Sequence, residues 1–118
     1  MFSSYENVEI KYGDFYKVIN NYPDNSIDIL HIDIVNNGNT YEFMFQNCIN
    51  KITNDGFIIM EGGSEYRDNI QWMIKYKKEK IQPIIKKYKN IYNIKTFGIF
   101  PSIIIKNKIL KVINKLIL

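Results

Sequence analysis

Apolar and polar positions change their period several times along the chain, and each change predicts an element. From Val8 to Tyr12 the alternation predicts a short strand. Gly13-Asp14 then opens a helix through about Asn21, with Asp14 as its N-cap. After the turn residues Pro23, Asp24, Asn25 and Ser26, the run Ile27 to Val35 is apolar on both faces, interrupted by Asp28, His31 and Asp33. That pattern predicts a parallel strand buried on two sides, with a carboxylate near its carboxyl end. Asn36-Asn37-Gly38-Asn39 reads as a loop, and Thr40 as the cap of an amphipathic helix carrying Phe43, Met44, Asn47 and Ile52 at helical spacing.

Asn54-Asp55-Gly56 predicts a sharp turn into the apolar strand Phe57 to Met60, which closes on Glu61-Gly62-Gly63-Ser64. Arg67 to about Tyr88 predicts a long helix holding Trp72 and Met73, broken or kinked at Pro83. Ile91 to Phe97 and Phe100 to Lys106, separated by Gly98, predict an antiparallel hairpin. The segment 107–118 predicts a basic amphipathic helix, with Ile109, Leu110, Val112, Ile113, Leu116 and Ile117 on one face and Lys108, Lys111 and Lys115 mainly on the other. The expectation is an α/β domain over residues 1–106, built on a strand, helix, strand unit whose loops open at one edge, followed by the helix 107–118.

Length and composition narrow this picture. A chain of 118 residues fits one domain but is short for a complete α/β cofactor-binding enzyme. With 46% hydrophobic and 24% charged residues, it is a folding sequence and not a disordered one. The net charge of +4 comes almost entirely from Lys in an Ile-, Asn- and Tyr-rich background, a bias of AT-rich coding, so no nucleic-acid partner is inferred from it. A single cysteine, Cys48, excludes an internal disulfide and a Cys-based zinc cluster, and fits a reducing, cytoplasmic setting. No basic leader and no apolar stretch of roughly 20 residues is present, which predicts a soluble chain. The apolar stripe of 107–118 is assigned to packing on the sheet or a second subunit, in preference to a membrane surface.

In open α/β sheets ligands bind beyond the carboxyl ends of the parallel strands, and Asp14, Asp33 and Glu61 are predicted there. Asp14 either accepts hydrogen bonds from an amino group or sugar hydroxyl, or caps its helix. Asp33 and Glu61 suit a divalent cation or an amino group, and Asp33 alternatively caps the loop that follows it. Gly62-Gly63 lets the backbone approach a ligand or turn with positive φ, and Ser64 and Glu65 are placed to cap the next helix. His31, two residues before Asp33, is a base or metal-ligand candidate, although a hydrogen-bonded core histidine is the simpler reading. Cys48, Trp72 and the tyrosines are assigned to packing.

Four segments in order, Ile27-Asp28-Ile29-Leu30-His31-Ile32-Asp33, Thr40-Tyr41-Glu42, Asn54-Asp55-Gly56-Phe57-Ile58-Ile59 and Phe100-Pro101-Ser102-Ile103, resemble class I S-adenosylmethionine-dependent methyltransferases, in particular the small-molecule and sugar O-methyltransferase branch. The resemblance runs from about Val8 to Lys106 and implies the C-terminal half of a Rossmann-like sheet. Val8 to Tyr12 becomes the family's third strand, Ile27 to Val35 its fourth and Phe57 to Met60 its fifth, and the final hairpin supplies the sixth and seventh. It implies that Asp14 contacts adenine, that Asp33 faces the methyl-transfer site as base or cofactor contact, and that Glu61, with His31 nearby, contacts substrate or a divalent metal. The loop Asn36-Asn37-Gly38-Asn39 replaces a histidine usual in the family, and Glu61-Gly62-Gly63 replaces an Asp ending, so the metal stays open. The first strand, its Gly-x-Gly loop and the second strand have no counterpart in the sequence, which implies an unpaired edge completed by an N-terminal half or a second copy. The implied activity is methyl transfer from S-adenosylmethionine to a hydroxyl of a small molecule or sugar; the alternative is a noncatalytic interaction module or partner subunit derived from such an enzyme.

Overall fold

A computed structural model describes residues 6–98 and 101–106. Its strands are β1 (Ile27–Ile32), β2 (Ile52–Met60), β3 (Asn93–Thr96) and β4 (Ser102–Ile105), joined in one mixed sheet of order β1-β2-β4-β3. β1 and β2 run parallel, and β4 lies antiparallel to both β2 and β3. The helices are α1 (Phe15–Val18), α2 (Gly38–Phe43), α3 (Glu65–Asp68), α4 (Gln71–Lys75) and α5 (Gln82–Tyr88). The chain is thus an α/β domain with a mixed sheet, and the C-terminal antiparallel hairpin is present.

Register explains which face is dry. Leu30 pairs with Ile58, Ile58 with Ile104 and Ile104 with Ile94, so one apolar row crosses all four strands. Ile58 and Ile104 are fully buried in this row, as opposite residues on neighbouring strands share a face. Against it pack Tyr41, Met44, Phe45, Cys48 and Ile49 from α2 and its continuation, together with Ile81. The opposite row, His31, Ile59, Ile103 and Lys95, is less covered: His31 is exposed, and Ile59 and Ile103 are half-buried. Removing a side chain such as Ile58 from the first row costs about 2–5 kcal/mol by the usual scale for core truncation.

Several elements differ from the sequence pattern. Residues Val8 to Tyr12 form no strand: Val8, Ile10 and Tyr12 are exposed, and among the described residues no strand lies beside them. β1 is an edge strand covered mainly on one side: Ile29 and His31 on the open face are exposed, as is Asp28 near the start of the strand, in place of burial on both faces. His31 is accordingly not a core histidine. Asn37, not Thr40, caps α2, its Oδ1 accepting from Thr40 N at 3.1 Å, while the Thr40 hydroxyl donates to Val35 O at 2.7 Å. The helix begins three residues early and continues as a π-helical stretch, Met44–Cys48, which puts Ile52 in β2. Asn54-Asp55-Gly56 lies inside β2 as an irregularity. Between the pairs Ile27↔Ile52 and Ile29↔Phe57, β1 advances two residues and β2 five.

The predicted helix from Arg67 to Tyr88 is three short helices. Its apolar spacing is interrupted where Lys77 turns to a positive φ of 50. Buried Asp68 accepts from Ile81 N at 2.7 Å and Gln82 N at 2.8 Å, capping α5 with a carboxylate, and Pro83 sits in the first turn of α5 as a starter. The predicted helix 107–118 lies outside the described residues.

Gly63 allows the loop after β2 to close on β4: a Cβ there would stand 1.4 Å from Ser102 Oγ. Gly63→Ala is expected to destabilise the chain by about 1–3 kcal/mol through overpacking. Ser102→Gly should recover part of that loss, and strict additivity in urea midpoints would contradict the contact.

Glu42 ties α2 to α5, its Oε1 accepting from Lys87 Nζ at 2.7 Å and Tyr88 OH at 3.0 Å. Lys87 is the main cause that holds the Glu42 carboxyl below its usual range. A carboxyl depressed in the folded state stabilises above the unfolded pKa of about 4.3, and that stability is lost as the pH falls through the folded value. A Tm deficit in Glu42→Gln is therefore expected at neutral pH and should close in stronger acid; a deficit constant with pH would contradict the linkage.

Candidate functional site

The loops leaving β1 and β2 meet at the carboxyl ends of the two parallel strands. Asn36, 2% exposed, lies between them: its Nδ2 donates to Ile32 O at the end of β1 and to Glu61 O just past β2, each at 3.2 Å. Tyr41 OH donates to the same Glu61 carbonyl at 3.0 Å. Burial pushes the Tyr41 phenol up to about 12, against the charge of Arg67, so it remains a neutral donor. Arg67 Nη2 donates to Asn36 O at 3.0 Å, which brings α3 onto the β1–α2 loop.

These contacts frame a cleft of about 350 Å³ lined by Ile34, Val35, Asn36, Glu61, Arg67, Ile70 and Trp72. The Arg67 guanidinium carbon lies 5.2 Å from the Trp72 ring centroid, and Lys78 Nζ lies 5.3 Å from it. Two cations therefore flank one ring at the cleft, an arrangement that attracts a negative ligand. Gly62, at φ 102, permits this: a Cβ there would stand 3.0 Å from Arg67 Cγ.

The four acidic and histidine candidates divide between two places. Glu61 lines the cleft with an exposed side chain, and Asp33, also exposed, follows β1 at the position after the Ile32↔Met60 pair. Asp14 caps α1, its Oδ1 accepting from Tyr16 N at 3.0 Å. The first turn of α1 reaches the same end of the sheet, because Tyr16 OH and Thr40 Oγ1 are 3.4 Å apart. His31 lies beside Ile59 on the solvent-facing row. Among the described residues, no three His, Cys, Asp or Glu side chains gather as a metal-ligand group. No helix among them is long and apolar enough to cross a membrane.

Sequence reasoning missed Asn36, Arg67 and Asp68. A usable signal existed for Arg67, which is the one arginine among 16 basic residues in a composition that otherwise supplies Lys, and Trp72 is the one tryptophan. Compared with protein-family models and with curated proteins, the chain matches none.

Cys48 is fully buried, and burial pushes its thiol up to about 12, which suits packing and not a nucleophile. In native buffer near pH 8 a disulfide-exchange reagent is expected to label Cys48 only after unfolding by denaturant. Prompt labelling of the folded chain would contradict its placement.

Proposed function

We propose that this chain is the C-terminal half of a class I S-adenosylmethionine-dependent methyltransferase domain, acting in methyl transfer to a hydroxyl of a small molecule or sugar when a cofactor-binding half completes the sheet. The sheet order carries this reading. In that family the fourth, fifth, seventh and sixth strands lie side by side, with the seventh antiparallel to both neighbours; the order β1-β2-β4-β3, with β4 antiparallel to both neighbours, is the same arrangement. The free side of β1 is where the remaining strands would continue. An apolar groove of about 300 Å³ runs beside it, lined by Phe15, Val18, Ile19, Tyr22, Ile27, Ile29 and Leu30.

The residues present fit part of a cofactor site. Asp14 opens α1 at the same end of the sheet as the cleft and would be the acidic acceptor for an adenine amino group, and Asp33 and Glu61 follow the two parallel strands. S-adenosylmethionine, when bound, supplies an electrophilic methyl group. The chain's own part is to hold the acceptor oxygen in line with it and to receive the hydroxyl proton, for which Asp33 is the candidate base. A noncatalytic module is the second reading, favoured by Ile29, 57% exposed on the edge strand β1 and lining the apolar groove.

Nitrogen-15 NMR with S-adenosylhomocysteine separates the two. Roughly millimolar affinity is expected from the isolated chain, with shifts confined to amides of residues 33–37, 61–67 and the start of α1. No shifts, or shifts only on the α5 surface, would overturn the methyltransferase reading and leave the interaction module.

A further inference from the structure

Two buried polar atoms at the cleft have no partner among the described residues: Asn36 Oδ1 and Arg67 Nη1. The orientation of the Asn36 amide is fixed by its surroundings. Its nitrogen faces two carbonyl oxygens, Ile32 O and Glu61 O, and exchanging the amide ends would set oxygen against both. Its oxygen is therefore the acceptor left over. Arg67 spends Nη2 on Asn36 O and keeps Nη1 as a charged donor. Leaving a donor and an acceptor buried and unmatched is costly, and one ligand offering the complementary pair satisfies both.

We propose that this cleft binds a small monocarboxylate carrying a hydrogen-bond donor on the neighbouring carbon. The carboxylate meets Arg67 Nη1 as a charge-assisted pair. The adjacent hydroxyl or ammonium donates to Asn36 Oδ1, and the apolar remainder packs against Ile34, Val35 and Ile70. Lys78, on the same tryptophan ring as Arg67, adds positive potential, whereas the exposed Glu61 carboxylate at the cleft selects against a dianion such as a phosphate ester. A cleft of about 350 Å³ accommodates a ligand of this size. Ile34 and Val35, 41% and 53% exposed, line the same cleft, and binding requires side chains there to move clear of the two buried atoms.

Two sources share this chemistry: a hydroxy acid as methyl acceptor, or the amino-acid end of S-adenosylmethionine. Assigning the site to either rests on the proposed function, but carboxylate binding itself does not.

Trp72, the one tryptophan of the chain, reports directly on the cleft. Mandelate is expected to change its fluorescence saturably, with the neutral mandelamide at least about tenfold weaker, the equivalent of about 1.4 kcal/mol. Phenylacetate, which lacks the hydroxyl, should fall between. Arg67→Met should weaken mandelate about tenfold while circular dichroism stays native. If that variant is not folded, Lys78→Gln decides, with about threefold weakening expected at low salt. No saturable change with mandelate, equal binding of mandelamide, or unaltered affinity in the folded variants would overturn the proposal. Competition between mandelate and S-adenosylhomocysteine assigns the site to the cofactor's amino-acid end, and simultaneous binding assigns it to the acceptor. Mandelate binding without any S-adenosylhomocysteine binding sustains this site and removes the methyltransferase reading instead.

Discussion

One buried side-chain amide joins the two parallel strands where their ladder ends. Asn36 donates to the last carbonyl of β1 and to Glu61 O beyond β2, so two loops that would otherwise separate are held at a fixed distance. The surrounding order follows from it. Tyr41 shares the Glu61 carbonyl and thereby sets α2 on the sheet, while Arg67 takes the Asn36 carbonyl and sets α3. Asp68, at the end of α3, then caps α5, and Gly38 N donates to Glu79 O at 2.7 Å, bringing the start of α2 against the segment before α5. Each of these short helices is too brief to be stable alone, and each borrows its terminal partners from the next.

The same network that organises the loops also creates the cleft. Satisfying two strand-end carbonyls uses up the Asn36 nitrogen and leaves its oxygen; tying down the Asn36 carbonyl uses one arm of the guanidinium and leaves the other. Structural and binding demands thus fall on opposite atoms of the same side chains. The cleft lies at the carboxyl ends of the parallel strands β1 and β2, the end of an open α/β sheet where loops converge.

What was legible in the sequence follows the range of the forces involved. The Asp14 cap and the β3–β4 hairpin are set by neighbours in the chain, and both were readable. Thr40 was read as a cap because its residue type suits that role, but Asn37 is equally suited and competes for it three residues earlier, with the Thr40 hydroxyl diverted to Val35 O. The run Ile27 to Val35 implied burial on two sides, whereas β1 lies at an edge, a property of the sheet that no local pattern contains. The interruption after Asp68 was hidden because its cause is a carboxylate turned to cap backbone 13 residues away. Of the site, the strand-end acids were placed near the right end of the sheet, but the Asn36–Arg67 pair depends on contact across 31 residues.

Strand order also governs how the domain assembles. β4 is the last of the four strands in sequence yet lies between β2 and β3, and Lys106, directly after it, buries its ammonium against Asn25 Oδ1 and Ile52 O near the starts of β1 and β2. During synthesis β1, β2, α5 and β3 all emerge before β4, the strand that lies between β2 and β3. The sheet closes only when β4 arrives and its lysine is withdrawn from water beside residues made 81 positions earlier. Closure that waits for a non-local strand slows folding and leaves strand edges open for longer.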